Sequence, residues 1–321
     1  MDTLVSVKDL DVSFLSYRGI VRALQSVNVD INYNETVGLV GETGCGKSTL
    51  GLSIARLVPH PGIIERGEIY FEGEDLLKKS KEEMRAIRRE KMSMIFQDPT
   101  TSLNPVFRVG DQIAEGVMLT HEIKKEEAMA RSVELLRMLG IPDPSKVARQ
   151  YPHELSGGMK QRIMIAMALS YKYKLLIADE PTSSLDVTIQ AQILELMTEI
   201  QKQTSMTILL ITHDMGVIAQ TCDRVIVMYA GTIVEVGTVH EIFKKVYHPY
   251  TQGLLAAVTL HEEEERLTTI PGSVPDLIEI PPGCPFSPRC RYRENKCERE
   301  TPKLREVEPG HLVACYLEGE L

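Results

Sequence analysis

Eight consecutive residues, Gly41-Glu42-Thr43-Gly44-Cys45-Gly46-Lys47-Ser48, match the phosphate-loop pattern G-x-x-x-x-G-K-[ST] and leave few folds open. The glycines let the backbone curl so that successive N–H groups point inward at phosphate oxygens. Such a loop needs a strand to enter it and a helix to leave it. Thr36–Val40 is an apolar, strand-like run, and Ser48–Leu57 reads as a helix whose N-terminal dipole adds to the anion site. Lys47 is expected to reach the β- and γ-phosphates and Ser48 to ligate Mg²⁺, with Thr49 beside it. Cys45 reads as a small space-filler rather than a redox group.

Around this loop the chain alternates strand-like and helix-like stretches up to about residue 245, as α/β proteins do. Expected strands are Val5–Phe14, Ser26–Ile31, Thr36–Val40, Gly67–Phe71, Met92–Gln97, Lys174–Ala178, Thr207–Ile211 and Arg224–Tyr229. Between about 98 and 167 strands give way to charged helical periodicity, as in Lys124–Leu139, which predicts an inserted helical subdomain. After about residue 246 an acidic run, Glu262–Glu265, and a Pro/Gly-rich stretch, Pro271–Gly283, lead to a small extension reaching residue 321. The acidic run reads as a solvated face.

A second polar site follows Leu175-Leu-Ile-Ala178, where Asp179 and Glu180 end a buried strand. Ligands of open α/β sheets gather at such carboxyl ends. Asp179 is placed to help hold Mg²⁺, and Glu180 to polarise a water for attack on a γ-phosphate.

With these two motifs in place, Leu155-Ser156-Gly157-Gly158-Met159-Lys160-Gln161 resembles the signature of the ABC ATPase family. Gln97 in Ile-Phe-Gln-Asp-Pro resembles that family's Q-loop glutamine, Ser184-Leu185-Asp186 its D-loop, and His213 its switch histidine. The resemblance covers about residues 4–245. It implies a phosphate-loop ABC ATPase core, a RecA-like sheet with an N-terminal antiparallel β-subdomain, carrying the helical insertion. It implies Mg-ATP as cofactor, with Gln97 sensing Mg²⁺ beside Ser48. It also implies a head-to-tail ATPase pair, homo- or heteromeric, in which Ser156 and Gly158 of one subunit cap the γ-phosphate held by Lys47 of the other. For the adenine, Phe14 and Tyr17 both suit an aromatic stack.

A narrower resemblance rests on Gln97-Asp-Pro-Thr-Thr-Ser-Leu-Asn-Pro105, on His153 through Arg162, and on His248-Pro-Tyr-Thr-Gln-Gly-Leu-Leu. These are similar to the dipeptide/oligopeptide importer branch. That branch implies separate membrane permease subunits, an extracytoplasmic solute-binding protein and a peptide solute, although nickel importers share the branch. No run approaches the ~18 apolar residues of a membrane span and no export signal opens the chain, so a cytoplasmic protein, peripheral on the inner face of the cell membrane, is expected. The formal charge of −9 argues against nucleic acid as the partner. The competing class, a soluble ABC ATPase acting on nucleic acid or ribosomes, usually has two cassettes or a long coiled-coil insertion.

Four of the six cysteines, Cys284, Cys290, Cys297 and Cys315, crowd into the extension, which has few apolar residues of its own. A [4Fe–4S] cluster, a structural Zn²⁺ and unliganded cysteines are all compatible with four thiols. The spacing lacks the C-x₂-C pairs of zinc ribbons. The tail of the importer branch is similar to a cluster-binding module, which implies [4Fe–4S].

Overall fold

The computed structural model describes residues 2–98, 102–121, 123–183, 185–257, 270–317, 319 and 321. The acidic run Glu262–Glu265 and the D-loop residue Ser184 lie outside the described residues. By backbone proximity the chain forms two compact units, Met1–Met84 with Leu209–Leu321, and Arg85–Ile208. In chain order the strands are β1 (Thr3–Ser16), β2 (Gly19–Asn32), β3 (Thr36–Val40), β4 (Gly62–Phe71), β5 (Glu74–Asp75) and β6 (Met92–Ile95). They continue with β7 (Leu175–Asp179), β8 (Thr207–Ile211), β9 (Arg224–Tyr229), β10 (Thr232–Thr238), β11 (Arg305–Glu308) and β12 (His311–Val313).

The first unit holds an antiparallel sheet of order β2-β1-β4-β5. Val5, Val7, Leu10 and Val12 of β1 are buried, because a strand sends alternate side chains to one face and β-bulges reset that alternation after Val7. A second run of strands has the order β11-β12-β10-β9-β3. β3 pairs parallel with β9, and every residue of β3 is buried. A parallel strand covered on both faces reads as a continuous apolar run, which is why Thr36–Val40 shows no alternation. The C-terminal half of β8, from Leu209, belongs to this unit, and Thr212 N donates to Leu39 O at 3.1 Å.

The extension beyond residue 246 joins that second run through β12, which pairs antiparallel with β10. The join is polar and fully buried. Glu235 of β10 and His311 of β12, both at 0% exposure, meet at 2.9 Å between Oε1 and Nε2. Glu235 also accepts the backbone N–H groups of Tyr247 at 2.9 Å and His248 at 3.2 Å. A buried carboxylate with several donors of this kind is expensive to leave half satisfied, so it fixes one register. Behind it Tyr229, Tyr250 and Phe286 pack with ring centroids 4.6 to 5.4 Å apart.

The second unit carries β6 and β7 as a parallel pair, with the helices Val109–His121, Lys125–Met138, Pro144–Val147, Gly157–Leu169 and Val187–Thr204. The helical insertion anticipated over 98–167 corresponds to the first four of these. Sequence reading missed β5, β10, β11 and β12. Three of those four are short, and β10 follows β9 across a two-residue turn, Ala230-Gly231, in which both residues have positive φ.

Candidate functional site: the phosphate loop and the carboxylate turn

In the first unit the loop leaves β3 at Gly41 and enters the helix Lys47–Ile54. Gly41 has φ of +154° and a Cβ there would strike the Met228 carbonyl oxygen and the Cys45 sulfur. Gly46, the residue that opens the helix, sits at φ +105° with the Ala23 carbonyl 2.5 Å from where a Cβ would stand. Left-handed backbone and close approach together require glycine at both places. Gly44, at φ +84°, meets nothing and serves only the turn.

Lys47 is buried and its Nζ donates to the carbonyls of Gly41 at 2.7 Å and Glu42 at 3.1 Å. Its ammonium is thus folded back over the loop that it would share with a bound anion. Cys45 is fully buried, and burial pushes its thiol above the ordinary range, in keeping with a space-filling role. Ser48 and Thr49 are half-buried on the first turn of the helix, and Thr43 and Gly44 are exposed at the loop tip. Of the two aromatic candidates, Phe14 is half-buried near Gly62, whereas Tyr17 is 98% exposed in the β1–β2 turn. His213 is exposed in the turn after β8, just before a helix capped by Asp214, whose carboxylate accepts from Gly216 N at 2.7 Å.

In the second unit Asp179 ends β7 and is buried, and Glu180 follows with φ of +46°. A non-glycine residue in left-handed backbone is unusual, and such residues cluster at functional turns. Gln161 holds this turn: its side chain is at 0% exposure and its Nε2 donates to the carbonyls of Pro181 at 2.5 Å and Glu180 at 3.4 Å. The signature glutamine is therefore a backbone clamp on the carboxylate turn. Gln97, exposed beyond β6, donates its Nε2 to Glu180 Oε2 at 3.2 Å, so two separately expected residues meet.

Ser156 caps the helix Gly157–Leu169, accepting Met159 N at 3.4 Å. Gly157 is open to solvent on its Cα side, and a Cβ on Gly158 would press on Leu185 at 3.3 Å. Leu155 is buried. Asp186 caps the helix Val187–Thr204 by accepting Ile189 N at 3.0 Å.

Three residues behind the phosphate loop were not anticipated as site residues. Tyr250 Oη accepts the Glu42 N–H at 2.8 Å, and Arg289 grips the Glu42 carboxylate with both terminal nitrogens at 2.6 and 3.0 Å. Tyr229 Oη accepts from Arg289 at 3.3 Å. Tyr250 lies within the His-Pro-Tyr-Thr stretch and Arg289 directly before Cys290, yet no local pattern announces contacts across 208 and 247 positions.

The four cysteines of the extension, Cys284, Cys290, Cys297 and Cys315, all line one small cavity together with His248 and Phe286. Burial pushes the Cys284 thiol up to about 11 and raises Cys290 and Cys315 as well, each helped by its neighbouring thiols. Such shifts mean the cavity disfavours thiolates unless something positive joins them. Among the described residues, however, no group of three or more His, Cys, Asp or Glu side chains is arranged closely enough to hold a metal ion. The donor chemistry fits a thiolate-bound group, while the expected [4Fe–4S] or Zn²⁺ coordination geometry is not formed.

A family model described as "ABC transporter" matches residues 24–183, spanning the phosphate loop, the signature helix and the carboxylate turn. A second, described as "Oligopeptide/dipeptide transporter, C-terminal region", matches residues 234–297. The oligopeptide transport ATP-binding protein OppD of Bacillus subtilis is 51% identical over 98% of this chain and 88% of its own length. The chain belongs to the ATP-binding proteins of the ABC transporters. Within that family the dipeptide transport ATP-binding protein DppD of Bacillus subtilis is 48% identical over 100% of this chain and 96% of its own length. A solved dimeric ATP-binding cassette in a post-hydrolysis state with ADP and Pi superposes with a TM-score of 0.67 at 27% identity, covering 73% of this chain and 98% of that one. The ABC ATPase fold expected from the motifs is the fold observed, and the chain is an ATPase of a transport system. Among the described residues no helix is long and apolar enough to cross a membrane.

Proposed function

We propose that this ABC ATPase energises the uptake of di- or oligopeptides through separate membrane permease subunits, as a peripheral protein on the inner face of the cell membrane. The observation that carries this reading is the match of residues 234–297 to the oligopeptide/dipeptide C-terminal region, which falls largely outside the cassette and so separates this branch from other ABC ATPases. The complete system would include a second ATPase subunit and an extracytoplasmic solute-binding protein.

In the first unit Lys47 and the loop N–H groups would bind the phosphates of ATP, Ser48 would supply a hard oxygen to Mg²⁺, and His213 would hold the γ-phosphate end. In the second unit Asp179 would offer a carboxylate to Mg²⁺, Gln97 would sense the ion, and Glu180 would orient and polarise the attacking water. Bound Mg²⁺ would neutralise charge on the β- and γ-phosphates. The contact of Gln97 with Glu180 supports a base whose carboxylate is held in place before nucleotide arrives. Ser156 and Gly158, at the N-terminus of the helix Gly157–Leu169, act as an anion cap for ATP on a second subunit. Phe14 and Tyr17 remain the two candidates for stacking on adenine.

The test is uptake of a labelled tripeptide by cells lacking this chain, complemented with wild type or with Lys47→Ala. Restoration by wild type alone is expected. Full uptake without the chain, or restored nickel uptake with no peptide effect, refutes the peptide reading.

The four thiols lining one cavity support a [4Fe–4S] cluster in the extension, with Zn²⁺ as the alternative occupant. Anaerobically purified protein is expected to show a broad absorption shoulder that Cys290→Ser abolishes. A colourless protein without iron refutes the cluster, and stoichiometric zinc then selects the alternative.

A further inference from the structure

Besides the Cys45 N–H that its carbonyl accepts at 3.2 Å within the loop, Glu42, the second residue of the phosphate loop, is fixed at three points. Its N–H donates to Tyr250 Oη at 2.8 Å, its carbonyl accepts Lys47 Nζ at 3.1 Å, and its carboxylate takes both terminal nitrogens of Arg289. Two of the three anchors come from the extension. Arg289 is committed on every side: its Nε donates to Pro271 O at 2.8 Å, and its terminal nitrogens also reach Ile270 O and Tyr229 Oη, each at 3.3 Å. Its side chain is 5% exposed, against 28% for Glu42. A planar guanidinium can hold both carboxylate oxygens at once, which an ammonium cannot.

The position of this pair poses an electrostatic problem. A carboxylate stands in a loop whose N–H groups and lysine gather anions, and a triphosphate would bring several more negative charges beside it. Uncompensated, Glu42 would repel the nucleotide. Were Lys47 to leave the loop carbonyls for phosphate, Glu42 would keep its two anchors from the extension beside the Cys45 N–H on its carbonyl.

We propose that Arg289 is a positioning residue of the nucleotide site: from the C-terminal extension it neutralises Glu42 and fixes its carboxylate, so that the phosphate loop accepts a triphosphate. The extension is thereby part of the ATP site's electrostatics. This rests on the reading of residues 41–48 as the ATP loop, which Lys47→Ala tests separately.

The experiment is calorimetric titration of the full-length protein with Mg-ATP, for wild type, Arg289→Ala, Arg289→Lys, Glu42→Gln, the double variant Arg289→Ala/Glu42→Gln, and Lys47→Ala. Arg289→Ala and Glu42→Gln break the same ion pair but change the local charge in opposite directions. Arg289→Ala is expected to weaken ATP by about tenfold or more, which corresponds to ~1.4 kcal/mol. Glu42→Gln is expected to shift affinity the other way, and the double variant to recover most of the loss. Arg289→Lys is expected to recover part of it. Wild-type affinity in Arg289→Ala overturns the proposal. So does equal weakening in both single variants with no recovery in the double, which would make the pair a scaffold only. If Arg289→Ala fails to fold by circular dichroism, the comparison passes to Glu42→Gln against wild type, where unchanged or weaker affinity overturns it. Lost binding in Lys47→Ala alone leaves the loop reading standing and removes only the role of Arg289.

Discussion

His248 gives the extension a pH-dependent hold on the rest of the first unit. The ring is buried at 1% exposure, and its Nδ1 accepts the Tyr250 N–H at 3.0 Å, capping the helix Pro249–Ala256. Burial pushes the imidazole down from 6.5 to about 4, although the nearby Glu235 pulls the other way. The folded protein therefore binds fewer protons here than the unfolded chain between those two values. Stability from this group is complete above the unfolded value of about 6.5 and is lost as pH falls toward 4. At 1.36 kcal/mol per unit the whole gap corresponds to about 3 kcal/mol, of which about 2 kcal/mol is gone by pH ~5. His248→Asn isolates the effect, because asparagine is a good N-cap acceptor but does not titrate. Urea unfolding followed by circular dichroism, from about pH 7.5 to 5, should show wild type losing about 2 kcal/mol more than His248→Asn. Parallel losses in the two proteins would show that the proton goes elsewhere and that the buried, neutral imidazole is not the pH-sensitive element.

Glu180→Gln is expected to bind Mg-ATP but stall, accumulating an ATP-bound dimer on size exclusion; hydrolysis at the wild-type rate would remove Glu180 as the base. Gly46→Ala places a methyl against the Ala23 carbonyl and forces an L-residue to φ +105°, so loss of nucleotide binding with at least ~1 kcal/mol of destabilisation is expected in a binding and melting comparison.

What the sequence by itself determined is the part of this protein encoded in short range. The loop 41–48, the turn at Asp179 and Glu180 and the cap at Ser156 are each local devices, because a glycine, a strand end or a helix N-terminus acts on backbone within a few residues. The fully buried strands β3 and β8 and the strand β9 were legible with their observed limits, since an unbroken apolar run has no other stable place. Gln97 and Glu180 were each visible, but their meeting across 83 positions was not.

Only the tertiary structure decided what stands behind the phosphate loop. Arg289 looked like one more charge in a Pro- and cysteine-rich tail, and Tyr250 like one residue of the His248-Pro-Tyr-Thr stretch. Glu235 with His311 locks β12 onto β10, and the aromatic packing of Tyr229, Tyr250 and Phe286 carries the tail to the loop. Such contacts depend on sheet register and on burial of distant segments together. A buried ion pair repays its desolvation only where the whole fold has aligned both partners and satisfied their remaining hydrogen bonds, and no window of sequence contains that information.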